Sequence, residues 1–273
     1  VHWQKLAGQL IRVRRGLLTQ RNLSSALGYK SNAVFAWENL HDEPSARAFF
    51  RLAVETGPVG TLSPFLADES VRDLRVEDLV LRENIAPLCR SLAAGSKVTD
   101  LAKLLGRDRH AVGRWLRGQT EINLADLLKL IDVTTGRLHD FLAAFVDPER
   151  LDETKENSRR VIASRNAAKK MPWARALLAL SRLPTYDELA THPNGWFAER
   201  LGISLEEEQR TLDSLLASGD LHQDGCKYRA SETDSGDFDD PEIERNVASF
   251  WLREGARRLE RAESWPHQHL TLA

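Results

Sequence analysis

The side chains best able to do chemistry in this sequence fall into two short clusters. Gln20, Arg21, Lys30, Ser31, Asn32 and Phe35 make the first; Lys103, Arg107, Arg109, His110, Arg114 and Arg117 make the second. An arginine fork matches phosphate oxygens or the outer edge of guanine, an asparagine amide matches the edge of adenine, and a phenyl ring can touch a thymine methyl. Gln20, Arg21, Lys103 and Arg117 suit phosphate contacts, which set register without reading sequence. The others suit base edges, with Ala36 and Gly113 completing the two faces. Any one of these cations taken alone is more simply a solvated surface charge. The reading belongs to the faces as groups.

Such faces need helices to present them, and the clusters recur at one spacing. Shifting the chain by 78 residues lays Leu23, Leu27, Gly28, Ala33, Val34 and Trp37 on Leu101, Leu105, Gly106, Ala111, Val112 and Trp115. The same register lays Leu10 and Arg12 on Leu88 and Arg90, and Leu52 on Leu130. A gapless register of this length marks two copies of one structural unit. In each copy leucines at helical spacing end at a glycine that tolerates a left-handed backbone. An N-cap candidate follows, Ser31 in the first copy and Asp108 in the second, and then Val and Trp three apart face inward. Two short helices joined by a tight turn leave the second helix one free face. A helical hairpin with no ligand at all has the same outline, so the basic outward faces carry the argument.

Charge is distributed to match. The net charge is only −2, but Val1 to Trp37 contains six cations and no acid. Between Lys97 and Arg117 six cations face only Asp100 and Asp108, while acids gather later, at Glu206–Glu208 and from Asp234 to Glu244. A basic front and an acidic back fit a nucleic-acid-binding region joined to a different module.

Leu18 to Gly28 followed by Trp37-Glu38, and Leu101 to Gly118, resemble the lambda-repressor/Cro-like (XRE) helix-turn-helix family. The second copy has Leu116 where the first has Glu38, and no glutamine matching Gln20. The resemblance implies helices near 4–16, 20–28, 31–39 and 45–56, then 75–94, 98–106, 108–117, 123–134 and 137–146. It further implies a regulator that binds double-stranded DNA, as a homodimer on half-sites one helical turn apart or as one chain covering a bipartite site. Tandem XRE units with a C-terminal module also resemble bacterial regulators whose last domain has no assigned activity.

The fold class expected is mainly α: two tandem lambda-repressor-like bundles (1–70 and 71–151), a polar linker or helix (152–171), and a small α+β winged-helix-like domain (172–273). In that last domain Trp196–Gly202 reads as a short helix, Ser204 as the cap of the next, and Asp224-Gly225 as a hairpin turn. Glu206-Glu207-Glu208 at the start of the second helix would repel phosphates and read as solvated charge. A protein-contacting or ligand-sensing role is therefore expected, with an unidentified small-molecule, peptide or protein effector. Thr233–Asp240 reads as a loop, Ile243–Glu263 as an amphipathic helix with Val247, Phe250, Trp251 and Leu259 on one side, and His267–Ala273 as a strand needing a partner.

Other chemistries find little footing. There is no glycine-rich phosphate loop, serine elbow or zinc-protease helix, so no catalytic residues, cofactor or metal are expected. His267-x-His269 is at most half a metal site. Two separated cysteines, Cys89 and Cys226, argue against a disulfide framework, and no apolar run approaches a membrane span. Val1–Lys5 carries no secretory leader, and cytoplasm is the expected location. A helical protein-interaction adaptor without DNA binding is the competing function.

Overall fold

A computed structural model describes residues 1–62, 74–231 and 241–260. The protein is mainly helical with one small antiparallel sheet, and it divides into two compact units, Val1–Arg159 and Arg160–Ala273. The expected boundary at 70/71, the Thr233–Asp240 loop, and the terminal strand with His267 and His269 lie outside the described residues.

In the first unit the order is α1 (Trp3–Arg15), α2 (Gln20–Ala26), α3 (Ala33–Glu38), α4 (Ala46–Glu55), α5 (Arg82–Leu92), α6 (Val98–Leu105), α7 (Arg109–Leu116), α8 (Leu124–Thr135) and α9 (Leu138–Ala143). The starts follow from side-chain oxygens meeting unpaired N–H groups: Thr19, Asn32, Ser45, Asp108 and Asn123 each accept from a backbone N–H of the first turn. The long helix expected over 75–94 is broken. Asp78–Val80 forms a separate 3-10 turn, Leu81 is extended, and Asn84 Nδ2 donates to the Asp78 carbonyl across the break.

Both copies share one hydrophobic core, which runs from Leu6, Leu10 and Ile11 through Phe49, Phe50 and Leu52 to Leu101, Leu127, Leu128, Phe141 and Leu151. Phe49 and Phe50 of α4 meet Phe145, just beyond α9, at ring separations of 4.9 and 6.2 Å. Each fully buried ring contributes roughly 1.5–3 kcal/mol, so these few residues weld copy one to the end of copy two. Arg14 adds a polar tie. It is half-buried and donates to the carbonyls of Ala53, Gly57, Pro58 and Phe145, and burial lowers the affinity of its guanidinium for its proton.

Two tertiary bonds recur at the register of 78. Arg12 donates to the Glu38 carbonyl as Arg90 does to that of Leu116, and Arg51 reaches the Leu27 carbonyl as Lys129 reaches that of Leu105. The two copies meet through equivalent residues. Ser45 and Asn123 form an antiparallel bridge, with Ala46 N–H donating to Ile122 O (2.9 Å) and Leu124 N–H to Pro44 O (2.8 Å). Around it α1 packs on α8, and α5 packs on α4.

The second unit contains most of α10 (Lys155–Lys170), α11 (Ala174–Leu180), α12 (Pro184–Asp187), α13 (Trp196–Leu201), α14 (Leu205–Ser218), a hairpin of β1 (Leu221–Asp224) and β2 (Lys227–Ala230), and α15 (Pro241–Glu260). Asp224 pairs with Lys227, so the hairpin loop is Gly225-Cys226, one residue later than the Asp224-Gly225 turn expected. Ser204 caps α14 in a reciprocal box with Glu207. Leu259 is exposed and not on the packed side of α15; Ile243, Val247 and Trp251 face the apolar clusters of this unit.

The three glutamates are not uniformly solvated. Glu206 is exposed, Glu207 is the capping partner, and Glu208 is buried, accepting from Ala198 N–H (2.8 Å) and lying 3.1 Å from His192 Nε2. His192 Nδ1 meets the Tyr186 hydroxyl at 3.1 Å, and that hydroxyl accepts from Tyr228 N–H. Burial outweighs the pull of Glu208 and lowers the His192 pKa, so the network holds a neutral ring at pH 7. It crosslinks α12, α13, α14 and β2.

Candidate nucleic-acid interface

In copy one, α2 and α3 meet at Gly28, whose φ of +83° turns the chain sharply. Val34 and Trp37 are buried, with Tyr29 edge-on to Trp37 at 5.2 Å. That fixes which side of α3 faces out: Lys30, Ser31, Asn32 and Phe35 are exposed, Phe35 at 44%. Ala36 is half-buried. Arg21 on α2 is exposed, and neither it nor Lys30 has a side-chain partner among the described residues.

Two residues of this cluster are already engaged. The N-cap is Asn32, not Ser31: Asn32 Oδ1 accepts from Phe35 N–H at 3.4 Å and from the Ser24 hydroxyl at 3.2 Å. A bidentate adenine contact needs that same oxygen, so such reading would compete with the cap. Asn and Ser are about equally good caps, so the adjacent Ser31 and Asn32 could not be told apart by residue type. Gln20 Nε2 donates to Glu38 Oε2 at 2.6 Å, which turns its amide toward the protein.

In copy two the corresponding turn is at Gly106, φ +65°. Asp108 caps α7 as expected, accepting from His110 N–H (3.1 Å) and Ala111 N–H (3.3 Å). Lys103, Arg107, Arg109, His110, Arg114 and Arg117 are all exposed. Arg109 Nε lies 3.4 Å from His110 Nε2, and Arg117 reaches the Gln119 amide oxygen at 3.3 Å. Lys103 and Arg114 have no side-chain partner among the described residues. Arg107 is tied by its Nε to the buried Asp126 at 2.9 Å, a hydrogen bond that raises its pKa. Gly113 is buried beneath Arg117: a Cβ there would meet Arg117 Nη1 at 3.0 Å, so the missing side chain lets that guanidinium lie over the helix.

No acid occurs between Arg109 and Arg117; Asp108 caps the helix and Asp126 is bonded to Arg107. The outward face therefore carries a net positive charge, offset in part by Asp108 and by the pairing of Arg107 with Asp126. Chemically it offers fork donors for phosphates or purine edges, plus an imidazole; the α3 side offers Lys30 and the Phe35 ring, with Arg21 on α2.

Other chemistry is sparse. Among the described residues no group of three or more His, Cys, Asp or Glu side chains is placed to hold a metal, and no helix is long and apolar enough to cross a membrane. Cys89 is buried, which pushes its thiol up to about 12 and leaves it unreactive; Cys226 is exposed and free. A cavity of about 330 Å³ lined by Gln4, Trp37, His41, Glu43 and Ala125 lies where the two copies meet. No known protein family, curated protein or solved structure matches the chain.

Proposed function

We propose that the chain is a sequence-specific regulator that binds double-stranded DNA, with α3 and α7 as the reading helices of two lambda-repressor-like helix-turn-helix units. The observation that carries this reading is the α7 face, where four arginines, a lysine one turn away and a histidine are exposed together, with the helix cap Asp108 the one acid from Lys103 to Arg117. A lone surface cation needs no explanation, but a same-sign cluster on a helix whose other side is buried costs repulsion unless an anion meets it. Arg109 and Arg114 are assigned to base edges, with Lys103 and Arg117 on phosphates. Arg107 contributes charge while bound to Asp126. On α3, Lys30 and Phe35 face the groove, Ser31 flanks them, and Arg21 takes a phosphate.

The second unit is winged-helix-like in element order, but the exposed Glu206 in the first turn of α14 disfavours a phosphate there. It is assigned to contact with a protein or effector.

The test is a salt titration of the full chain on random-sequence duplex, followed by selection of preferred duplexes. Binding should weaken with salt by roughly 0.9 log units per log unit for each phosphate neutralised. The competing adaptor reading draws on the net charge of −2, and it predicts no salt-dependent association with duplex.

A further inference from the structure

We infer that one chain is its own dimer on the duplex: a single molecule reads two unlike half-sites in inverted orientation. The inference rests on the DNA-binding reading and adds stoichiometry and site symmetry to it. Its basis is the junction of the copies. Ser45 and Asn123 are 78 apart, and so are the bonded carbonyls and amides on either side: Pro44 with Ile122, and Ala46 with Leu124. Equivalent residues thus face each other and exchange bonds reciprocally. Repeats related by simple translation would bring one surface of copy one against a different surface of copy two. A patch that meets its own equivalent instead defines a local two-fold axis, the geometry of a symmetric dimer interface.

The reciprocity extends outward. The equivalent helix pairs α1 with α8 and α5 with α4 both make contact, the first far more extensively than the second. The equivalent carboxylates Glu43 and Glu121 each take a donor from the other copy, Glu43 from Asn123 Nδ2 at 2.6 Å and Glu121 from Arg47 at 3.0 Å. Within its own copy Glu43 also pairs with Gln4, and Glu121 with the equivalent Arg82. Because this patch is satisfied inside the chain, a second chain cannot use it. A two-fold that exchanges α3 and α7 exchanges their reading faces too, which suits a site whose halves run in opposite directions. The faces differ: α7 carries Arg109 and Arg114, where α3 carries Ser31 and Ala36. The half-site under α7 should be selected for guanine, and the half-site under α3 should be the weaker determinant.

Selection with the full chain from a random duplex pool, then sedimentation of the complex on the preferred duplex, tests this. The expected result is one chain per duplex with both halves protected from cleavage. Rebuilding the duplex with one half flipped into a direct repeat should weaken binding about tenfold or more. Arg114→Ala should lose discrimination only in the guanine-bearing half, and Phe35→Ala only in the other; both positions are exposed. Two chains per duplex, or equal binding to the direct repeat, would overturn the inference while leaving DNA binding intact. A pool that yields no preferred duplex would remove both.

Discussion

The two copies in the first unit hold their third helices in place by opposite means. In copy one Glu38, at the end of α3, is buried with Arg15 at 2.6 Å, Gln20 at 2.6 Å and Arg12 at 3.7 Å. In copy two the equivalents of Glu38, Arg15 and Gln20 are Leu116, Ala93 and Val98, while Arg90 is retained and donates to the Leu116 carbonyl. Copy two thus lacks the ionic brace: Ala93 is buried, Leu116 packs partly buried against the shared core, and Val98 is exposed. A buried ion pair is dispensable when all its members leave together and costly when one leaves alone. The comparison teaches that the scaffold is defined by the closing of α1 or α5 onto the third helix, and that the chemistry of the brace is free to vary.

The largest effect should come from breaking one brace. Glu38→Ala leaves Arg15 and Gln20 partly buried without their acceptor and should destabilise the first unit by roughly 3–5 kcal/mol, read by denaturant unfolding. Transplanting the copy-two set, Arg15→Ala, Gln20→Val and Glu38→Leu together, should recover most of that loss. A triple variant as unstable as Glu38→Ala would show that copy one needs charge as such.

Next in size is the contrast between the faces. Arg109→Ala with Arg114→Ala should cost roughly 1–3 kcal/mol of sequence discrimination at each lost base contact, with helix content by circular dichroism unchanged. Phe35→Ala should cost less. Equal losses from the two faces would mean the copies read alike.

A smaller effect concerns the turn after the third helix. Leu40 has φ +60°, where copy two has Gly118 at φ +72°. A non-glycine residue costs roughly 1–2 kcal/mol there, so Gly118→Ala should destabilise by about that amount, the more so because its Cβ would lie 3.3 Å from Ala86 Cβ. Leu40→Gly should change stability by less than about 1 kcal/mol, because relief of the backbone is offset by a freer unfolded chain. Smallest of all, Arg21→Ala and Lys103→Ala should each lower the salt slope of duplex binding by about one ion without altering sequence preference.

Much of this was legible in the residues themselves. The register of 78, the glycine turns, the cap at Asp108 and the buried faces of Val34, Trp37 and Val112 follow from local propensity and periodicity, which act over a few residues and can be read off them. The exposure of the basic clusters followed too, since a helix that buries one stripe must expose the other. Local pattern was less able to say what each polar group would bond. Asn32 became a cap, Gln20 and Arg107 found Glu38 and Asp126, Gly113 went under Arg117, and Glu208 left its neighbours for His192. Those outcomes depend on partners many positions away.

By itself, then, the sequence determined that a unit occurs twice and which side of each third helix is wet, because both are properties of spacing along one chain. Only the tertiary structure decided that the copies share one core and meet through equivalent residues. The segments flanking Ser45 and Asn123 carry no signal of pairing; their bond exists because packing α1 on α8 and α5 on α4 brings two unpaired backbone edges together, and each satisfies the other.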